Sequence, residues 1–403
     1  MLRLAIRNVM RHRTRTALTL AAIVLGVAGL ILAGGFVQDV YVQLGEATIH
    51  SQLGHLQIYR KGYYAQGSRK PIEFALTRPN DVLRQVRAHP AVQDAMLRLN
   101  FSGLLSNGRA DLAIVGEGLQ PDKEARLGSY ITILRGRMLT DHDRFGMLVG
   151  EGVAKALKLS PGSRTTLVAS TADGGLNSVD FEVLGIFRSF SKDYDNRAVR
   201  VPLAAAQELL ATDVANAIVV LLDATPRTDQ VKDELEHAFA ERDIEIMSWH
   251  ELSDFYEKTI ALYKRQFGVL QFITLIMVIL SVMNSVSMTT FERMGEFGTM
   301  RALGNRSRTV FRLVVLENVV IGLVGSTLGV AVGLLLAIVI SGIGIPMPPP
   351  PNAESSYIAS IRILPPVIGA AFLVGFIAAF LAAIWPAHRV AQIPLVDALR
   401  QNV

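Results

Sequence analysis

Four stretches of this chain run for 23 to 36 residues without an Asp, Glu, Lys or Arg: Thr16–Gln38, Gln266–Phe291, Asn318–Ala353 and Ile363–His388. A bilayer-crossing helix needs about 20 mostly apolar residues. Each stretch therefore predicts a span, placed at 17–38, 266–291, 313–343 and 363–387. Between 39 and 265 the pattern changes, and apolar residues come in short runs between charges. His55–Tyr59 alternates like a strand, and Asp111–Val115, Gly146–Val149, Arg164–Val168, Phe181–Phe187, Ala217–Leu222 and Asp243–Met247 read as further strands. Asn80–Ala88, Glu151–Leu159, Pro202–Leu210 and Thr228–Arg242 read as helices. The first follows Pro79 with Asn80 or Asp81 as cap, and the second stops at Pro161-Gly162. Strand, helix and strand over Ala217–Met247 predict an α+β layer. The expected fold is a membrane α-helical protein of four transmembrane helices, with a large α+β extracytoplasmic domain (39–265) inserted between helices 1 and 2.

Finer patterning fills in the segments around the spans. Leu2, Ile6, Val9 and Met10 recur at helical spacing among arginines, so 1–16 predicts an amphipathic helix on the inner surface. Val40, Leu44 and Ala47 carry the period of the first span onward. Leu252–Arg265 is helical and runs straight into the second, so both ends of the domain are stalks. Thr274, Ser281, Asn284 and Ser285 form a polar stripe, suited to interhelical hydrogen bonds or to a polar substrate path. Gly325, Gly329 and Gly333 form a small-residue face for helix packing. Glu317 has two readings: an interfacial side chain, or a buried partner of the nearby arginines. Pro346 and Pro348–Pro351 predict a stiff polyproline II segment in the loop 344–362.

Charge fixes the orientation. The chain has 40 Lys+Arg and 35 Asp+Glu. Asp39–Arg265 holds 27 and 30 of them, a net of −3, and the remainder carries +8. The basic excess thus belongs to the membrane part, and nucleic acid is not expected as a partner. Arg3, Arg7, Arg11, Arg13 and Arg15 precede the first span. Arg293, Arg301, Arg306, Arg308 and Arg312 crowd the loop 292–312 against Glu292 and Glu296, and Arg389 and Arg400 lie in the tail 388–403 against Asp397. The positive-inside rule puts these segments, and so both termini, in the cytoplasm. Ala17–Val37 is longer than the 7–15 residues of a typical signal-peptide core and is expected to stay as a span.

Composition and motifs remove whole classes of function. With 50% hydrophobic and 19% charged residues the chain cannot be wholly soluble, and without cysteine it has no disulfide framework. No lysine follows a glycine, so no GxxxxGK[ST] phosphate loop exists. No HExxH occurs, and His250-Glu251 has no second histidine at helical spacing. Asp193, Tyr194 and Asp195 read as a solvated turn. No catalytic residue, metal site or cofactor is expected in this chain.

The loop 292–312 carries the most informative run. Glu292, Arg293, Glu296, Phe297, Gly298, Met300, Arg301, Ala302, Leu303 and Gly304 fall in a helical segment whose spacing leaves Phe297, Met300 and Arg301 able to face one partner. A short helix held by two spans can pass force from a cytoplasmic motor. This segment resembles the ERxxEFG/EIGxxRALG stretch of the FtsX-like/MacB-type permease family of ABC transporters. Residues 3–16 resemble that family's arginine-rich start. Pro386-Ala387-His388-Arg389-Val390-Ala391-Gln392-Ile393-Pro394 with Asp397-Ala398-Leu399-Arg400 resembles its ending, His388 standing where a basic residue is commoner.

The resemblance implies a permease subunit, not an enzyme, in a bacterial inner membrane. It implies a dimer with a second copy or a paralogue, and two copies of a separate cytoplasmic ATPase that bind the ATP and Mg²⁺. The loop helix would couple ATP hydrolysis to motion of the external domain, the behaviour called mechanotransmission. The size matches the lipoprotein-releasing LolC/LolE-type branch, which implies lipid-anchored cargo and a periplasmic carrier. MacB-like efflux of peptides or antibiotics with an adaptor, or FtsX-like control of cell-wall hydrolases, is the alternative. Membrane-lipid-like cargo would need an apolar cleft near the outer ends of spans one and two, expected at Val27, Leu30, Ile31 and Gly34 and at Phe267, Leu270, Gln271 and Thr274.

Overall fold

A computed structural model describes residues 7, 13–67, 72–127, 131–189, 191–347 and 357–392. Most of the amphipathic segment 1–16, the centre of the Pro-rich loop and the tail beyond 392 lie outside the described residues. The long helices are α1 (Arg13–Thr48), α2 (Asp254–Glu292), α4 (Ser307–Ile343) and α5 (Pro365–Gln392), and the short α3 (Met294–Ala302) joins α2 to α4. The four long helices are each long and apolar enough to cross a membrane. The chain separates into two compact units. One contains the described residues up to Tyr41, Ile260–Met347 and those from Ile358 onward; Val42–Thr259 belong to the other.

In the first unit, glycine decides how closely helices meet. A Cβ on Gly325, Gly329 or Gly333 of α4 would lie 3.0, 2.7 and 3.0 Å from Ile23, Val27 and Ile31 of α1. α1 and α4 therefore touch nearly backbone to backbone, as small-residue faces allow. On its other side α4 meets α5, where a Cβ on Gly322 would come within 2.9 Å of Ala379. Of the polar stripe on α2, Ser285 shares a 2.6 Å hydrogen bond with Thr19 of α1, whereas Thr274 donates back to the Leu270 carbonyl at 2.9 Å and Ser281 and Asn284 are exposed. α4 ends at Gly344, whose φ of +75° breaks the helix. Prolines 365 and 366 open α5, where the missing N–H costs nothing.

The second unit holds strands β1 (Leu56–Arg60), β2 (Val92–Ser106), β3 (Asp111–Leu119), β4 (Thr132–Gly136), β5 (Gly146–Gly150), β6 (Arg164–Ser170), β7 (Leu176–Arg188), β8 (Ala198–Pro202), β9 (Ala217–Leu222) and β10 (Ile244–Ser248). The first half of β2 pairs with β9, which continues to β1 and β10. Helices Pro79–Arg87 and Thr228–Ala238 bury their apolar faces over this sheet, around Val86, Val231 and Leu235. The second half of β2 turns into a different layer. There β2–β3–β8–β5–β7–β6 close back on β2 as a ring of six strands, filled by Leu99, Leu105, Met147, Leu167, Phe181 and Val199. The expected strands appear here, several of them longer, and β2, β4 and β8 are additional.

One polar group differs from its sequence reading, and a second gains a structural role. Asp195 is buried and accepts the Ser189 N–H at 3.0 Å, and the Tyr194 hydroxyl donates to Glu117 at 2.7 Å, so Lys192–Asp195 is a packed helical turn instead of a solvated one. Burial pushes the Asp195 carboxyl up to about 6. His250-Glu251 belongs to a helix start: Glu251 closes a capping box with Ser248, and His250 reaches Asp229 at 3.0 Å.

His55 is also buried. Its Nδ1 accepts the Leu222 N–H at 3.1 Å, which leaves Nε2 to donate to Thr225 at 3.0 Å, and Thr225 donates on to Glu46 at 2.6 Å. Burial, and His50 beside it, hold His55 down to about 4. An unfolded histidine titrates near 6.5, so between these values the unfolded chain binds the extra proton. Stability complete above about pH 6.5 is then lost as pH falls toward 4, by up to roughly 3 kcal/mol. Urea unfolding of the purified protein at about pH 7.5 and about pH 5 checks this. Asp195, whose carboxyl is raised, works the opposite way over this range. His55→Asn should therefore make the protein more stable at about pH 5 relative to about pH 7.5 by roughly 2 kcal/mol compared with the unmutated chain, and an unchanged difference would place the titration elsewhere.

Candidate coupling helix and membrane cavity

Arg293 ties α3 to α4. Arg293 sits between α2 and α3, 6% exposed, and donates through both Nη atoms to Glu317 of α4 at 2.6 and 3.2 Å. Its Nε reaches Glu296 at 3.0 Å, and its guanidinium lies 5.0 Å over the Phe297 ring. Glu317 is therefore the buried partner of an arginine. A two-pronged guanidinium–carboxylate pair fixes direction as well as distance, so α3 has a set angle against α4. Phe297 is 2% exposed and packs with Val282, Val310 and Val314. The expectation that Phe297 faces a partner is thus corrected. One face of this short helix has to cover the apolar ends of α2 and α4, and Phe297 and Gly298 lie on it. Glu292, Glu296, Ala302, Leu303 and Gly304 are exposed, with Met300 and Arg301 half-buried. Leu303 is 80% exposed beside Gly304, whose φ of +93° ends the turn.

A cavity of about 580 Å³ opens between α1, α2 and α5. Leu30, Gly34 and Val37 form one wall, Phe267, Gly268 and Phe272 a second, and Val367, Ala370 and Val374 the third, with Gln38, Tyr41, Lys264 and Gln271 as its polar members. Four of the eight expected cleft residues line it: Leu30, Gly34, Phe267 and Gln271. The other four do not. Val27 and Ile31 lie on the α1 face that fills the glycine groove of α4. Leu270 is 51% exposed off the cavity, and Thr274 bonds its own helix. The α5 wall was not anticipated, although Ala370 and Ala371 are small enough to leave room beside a Pro-opened helix. Near the cavity, Asp39 is buried and accepts the Ser360 N–H at 2.8 Å and Arg362 Nε at 2.9 Å, an anchor the sequence reading missed.

The structure thus combines four helices long and apolar enough to cross a membrane with a mixed α+β unit. Residues 16–238 match the MacB-like periplasmic core domain and residues 268–395 the FtsX-like permease C-terminal domain. The chain belongs to this family of ABC transporter permeases. It is 23% identical over 226 residues to an ABC transporter permease of Methanocaldococcus jannaschii, covering 55% of this chain and 55% of that one. It is 23% identical to the Bacillus subtilis permease YvrN, over 99% of this chain and 98% of that one. It is 21% identical to the lipoprotein-releasing system transmembrane protein LolC of Neisseria meningitidis, over 80% and 76%.

The Arg293–Glu317 pair gives a stability prediction. Glu317→Ala strands a buried guanidinium and should cost roughly 3–5 kcal/mol, less whatever Glu296 recovers. Arg293→Leu with Glu317→Leu should cost clearly less than the single change. Thermal unfolding of the three purified proteins decides, and equal losses would show that the pair is not what holds α3.

Proposed function

We propose that this chain is the membrane subunit of a bacterial inner-membrane transporter of the mechanotransmission type. In it, a separate cytoplasmic ATPase binds ATP and Mg²⁺ and moves the external domain through α1 and α2. The cargo is lipophilic, in the first place the acyl chains of lipid-anchored proteins. The cavity carries this reading: it is walled mainly by aliphatic and aromatic side chains and lies among three helices long enough to span a bilayer. Each buried CH₂ of an acyl chain is worth about 0.8 kcal/mol, so such walls hold chains tightly without choosing among headgroups. Photo-crosslinkers at Phe267 and Val374 should form adducts with cargo acyl chains, and Gly268→Trp should fill the space and cut cargo release at least tenfold. Adducts to phospholipid alone at both positions would sink the reading.

The ATPase would dock on the exposed edge of α3, where Leu303 offers apolar area and Arg301 a charge. Leu303→Asp with Arg301→Glu should lower co-purification of the ATPase at least tenfold while the chain still inserts and folds. Unchanged co-purification would move the docking surface elsewhere. For orientation, the absence of native cysteine allows single-cysteine labelling. Asp173→Cys should react with an impermeant thiol reagent from outside intact cells and Asn305→Cys should not; the reverse pattern would invert the topology.

A further inference from the structure

At Thr48 α1 widens into a π turn, Ile49–Leu53, which stops at Gly54 with φ of +67°. The end of a helix leaves carbonyls without partners inside the helix. Here arginines take two of them. Arg98 Nη1 donates to the Gln52 carbonyl at 2.7 Å, and Arg200 Nη2 to the Ser51 carbonyl at 3.0 Å. Arg98 lies on β2 and Arg200 on β8, and they are 2% and 1% exposed. Two buried carboxylates balance them. Glu124 accepts from Arg98 at 2.5 Å and Glu117 from Arg200 Nε at 3.0 Å, with the crossed pairs at 3.9 Å. Burial works to raise Glu117, but Arg98 and Arg200 outweigh it and hold the carboxyl below its usual range.

Four buried charges are a costly way to fill a core, since apolar residues of the same volume often do as well or better. Among the described residues, Arg98 Nε and Glu124 Oε2 even stay buried without a hydrogen-bond partner. What apolar side chains cannot do is bond the carbonyls at the negative end of a helix, and that is where both guanidinium groups point. Their strands differ: β2 belongs to both sheet layers, and β8 lies in the six-strand ring. The helix end is thereby held at two points, which blocks pivoting about either.

We propose that Arg98 and Arg200 are positioning residues that fasten the end of α1 to β2 and β8, so that displacement of α1 during the transport cycle moves the external domain. The inference rests on the reading of α1 as a driven helix. Glu117 and Glu124 aim the two guanidinium groups and cancel their charge.

The test uses the full chain with its ATPase in lipid nanodiscs, in two variants: Arg98→Gln with Arg200→Gln, and Arg98→Lys with Arg200→Lys. By hydrogen exchange, amides of 49–54 should exchange at least tenfold faster in the glutamine variant while those of β5 and β6 stay within twofold. The lysine variant, which keeps the positive charge and most of the reach, should recover part of the protection. Faster exchange throughout the ring, or none at 49–54, would overturn the proposal. A fluorophore on Asp173→Cys then reports ATP-driven movement of the domain. In the glutamine variant the signal should fall at least fivefold with ATP hydrolysis within twofold of the unmutated chain. An unchanged signal, or parallel loss of signal and hydrolysis, would overturn the coupling role. Absence of any ATP-driven signal in the unmutated chain would instead overturn the mechanotransmission reading.

Discussion

Gly325, Gly329 and Gly333 strip one face of α4 of side chains, and Ile23, Val27 and Ile31 of α1 fill the groove they leave. Inside a bilayer the hydrophobic effect does not push helices together, because lipid tails are as apolar as leucine. Close contact over a long face takes its place. Once α1 is seated on α4 by that face, its neighbouring face, with Leu30 and Gly34, is left to look between α2 and α5. The cavity is thus the complement of the tight seam: the same helix is packed hard on one side and open on the other.

The buried charges share a second logic. Arg293 with Glu317, and Arg98 and Arg200 with Glu117 and Glu124, each sit where a helix ends or changes direction. Helix ends expose backbone groups and carry partial charge, and apolar packing cannot fix their direction. A guanidinium can, because its donors lie in one plane. Each such pair costs desolvation and returns a defined angle.

Much of this was readable from the sequence for physical reasons that differ by segment. Runs without charge gave away the apolar helices because the solvent there tolerates nothing else. The strands β5, β6 and β9 were visible through short apolar runs between turn residues. β2 was not: its buried Arg98 and its polar Asn100 interrupt the alternation, and it changes layer midway. β8 was hidden likewise by Arg200. The site was half legible. Composition and resemblance located α3 and the C-terminal half of α1, but which face each residue takes depends on partners far along the chain. Phe297 and Ile31 turned inward for that reason, and the α5 wall of the cavity had no local signal. Glu317 supports two readings in sequence alone, since the distance to Arg293 is not in the sequence.

The strand order also sets a timetable. β1, just after α1, finds its partners in β9 and β10, with Leu56 opposite Ser248. Nearly all of the second unit must leave the ribosome before its first strand can pair, and such long-range pairings close slowly. A nascent chain with only its first apolar helix made would therefore hold β1 and the arginine-seeking turn after it open for the whole synthesis of the domain. The closed ring has no free edges once formed, but until β6 meets β2 it exposes several. Quality control of this protein is then most exposed in one interval, between the emergence of β2 and that of β10.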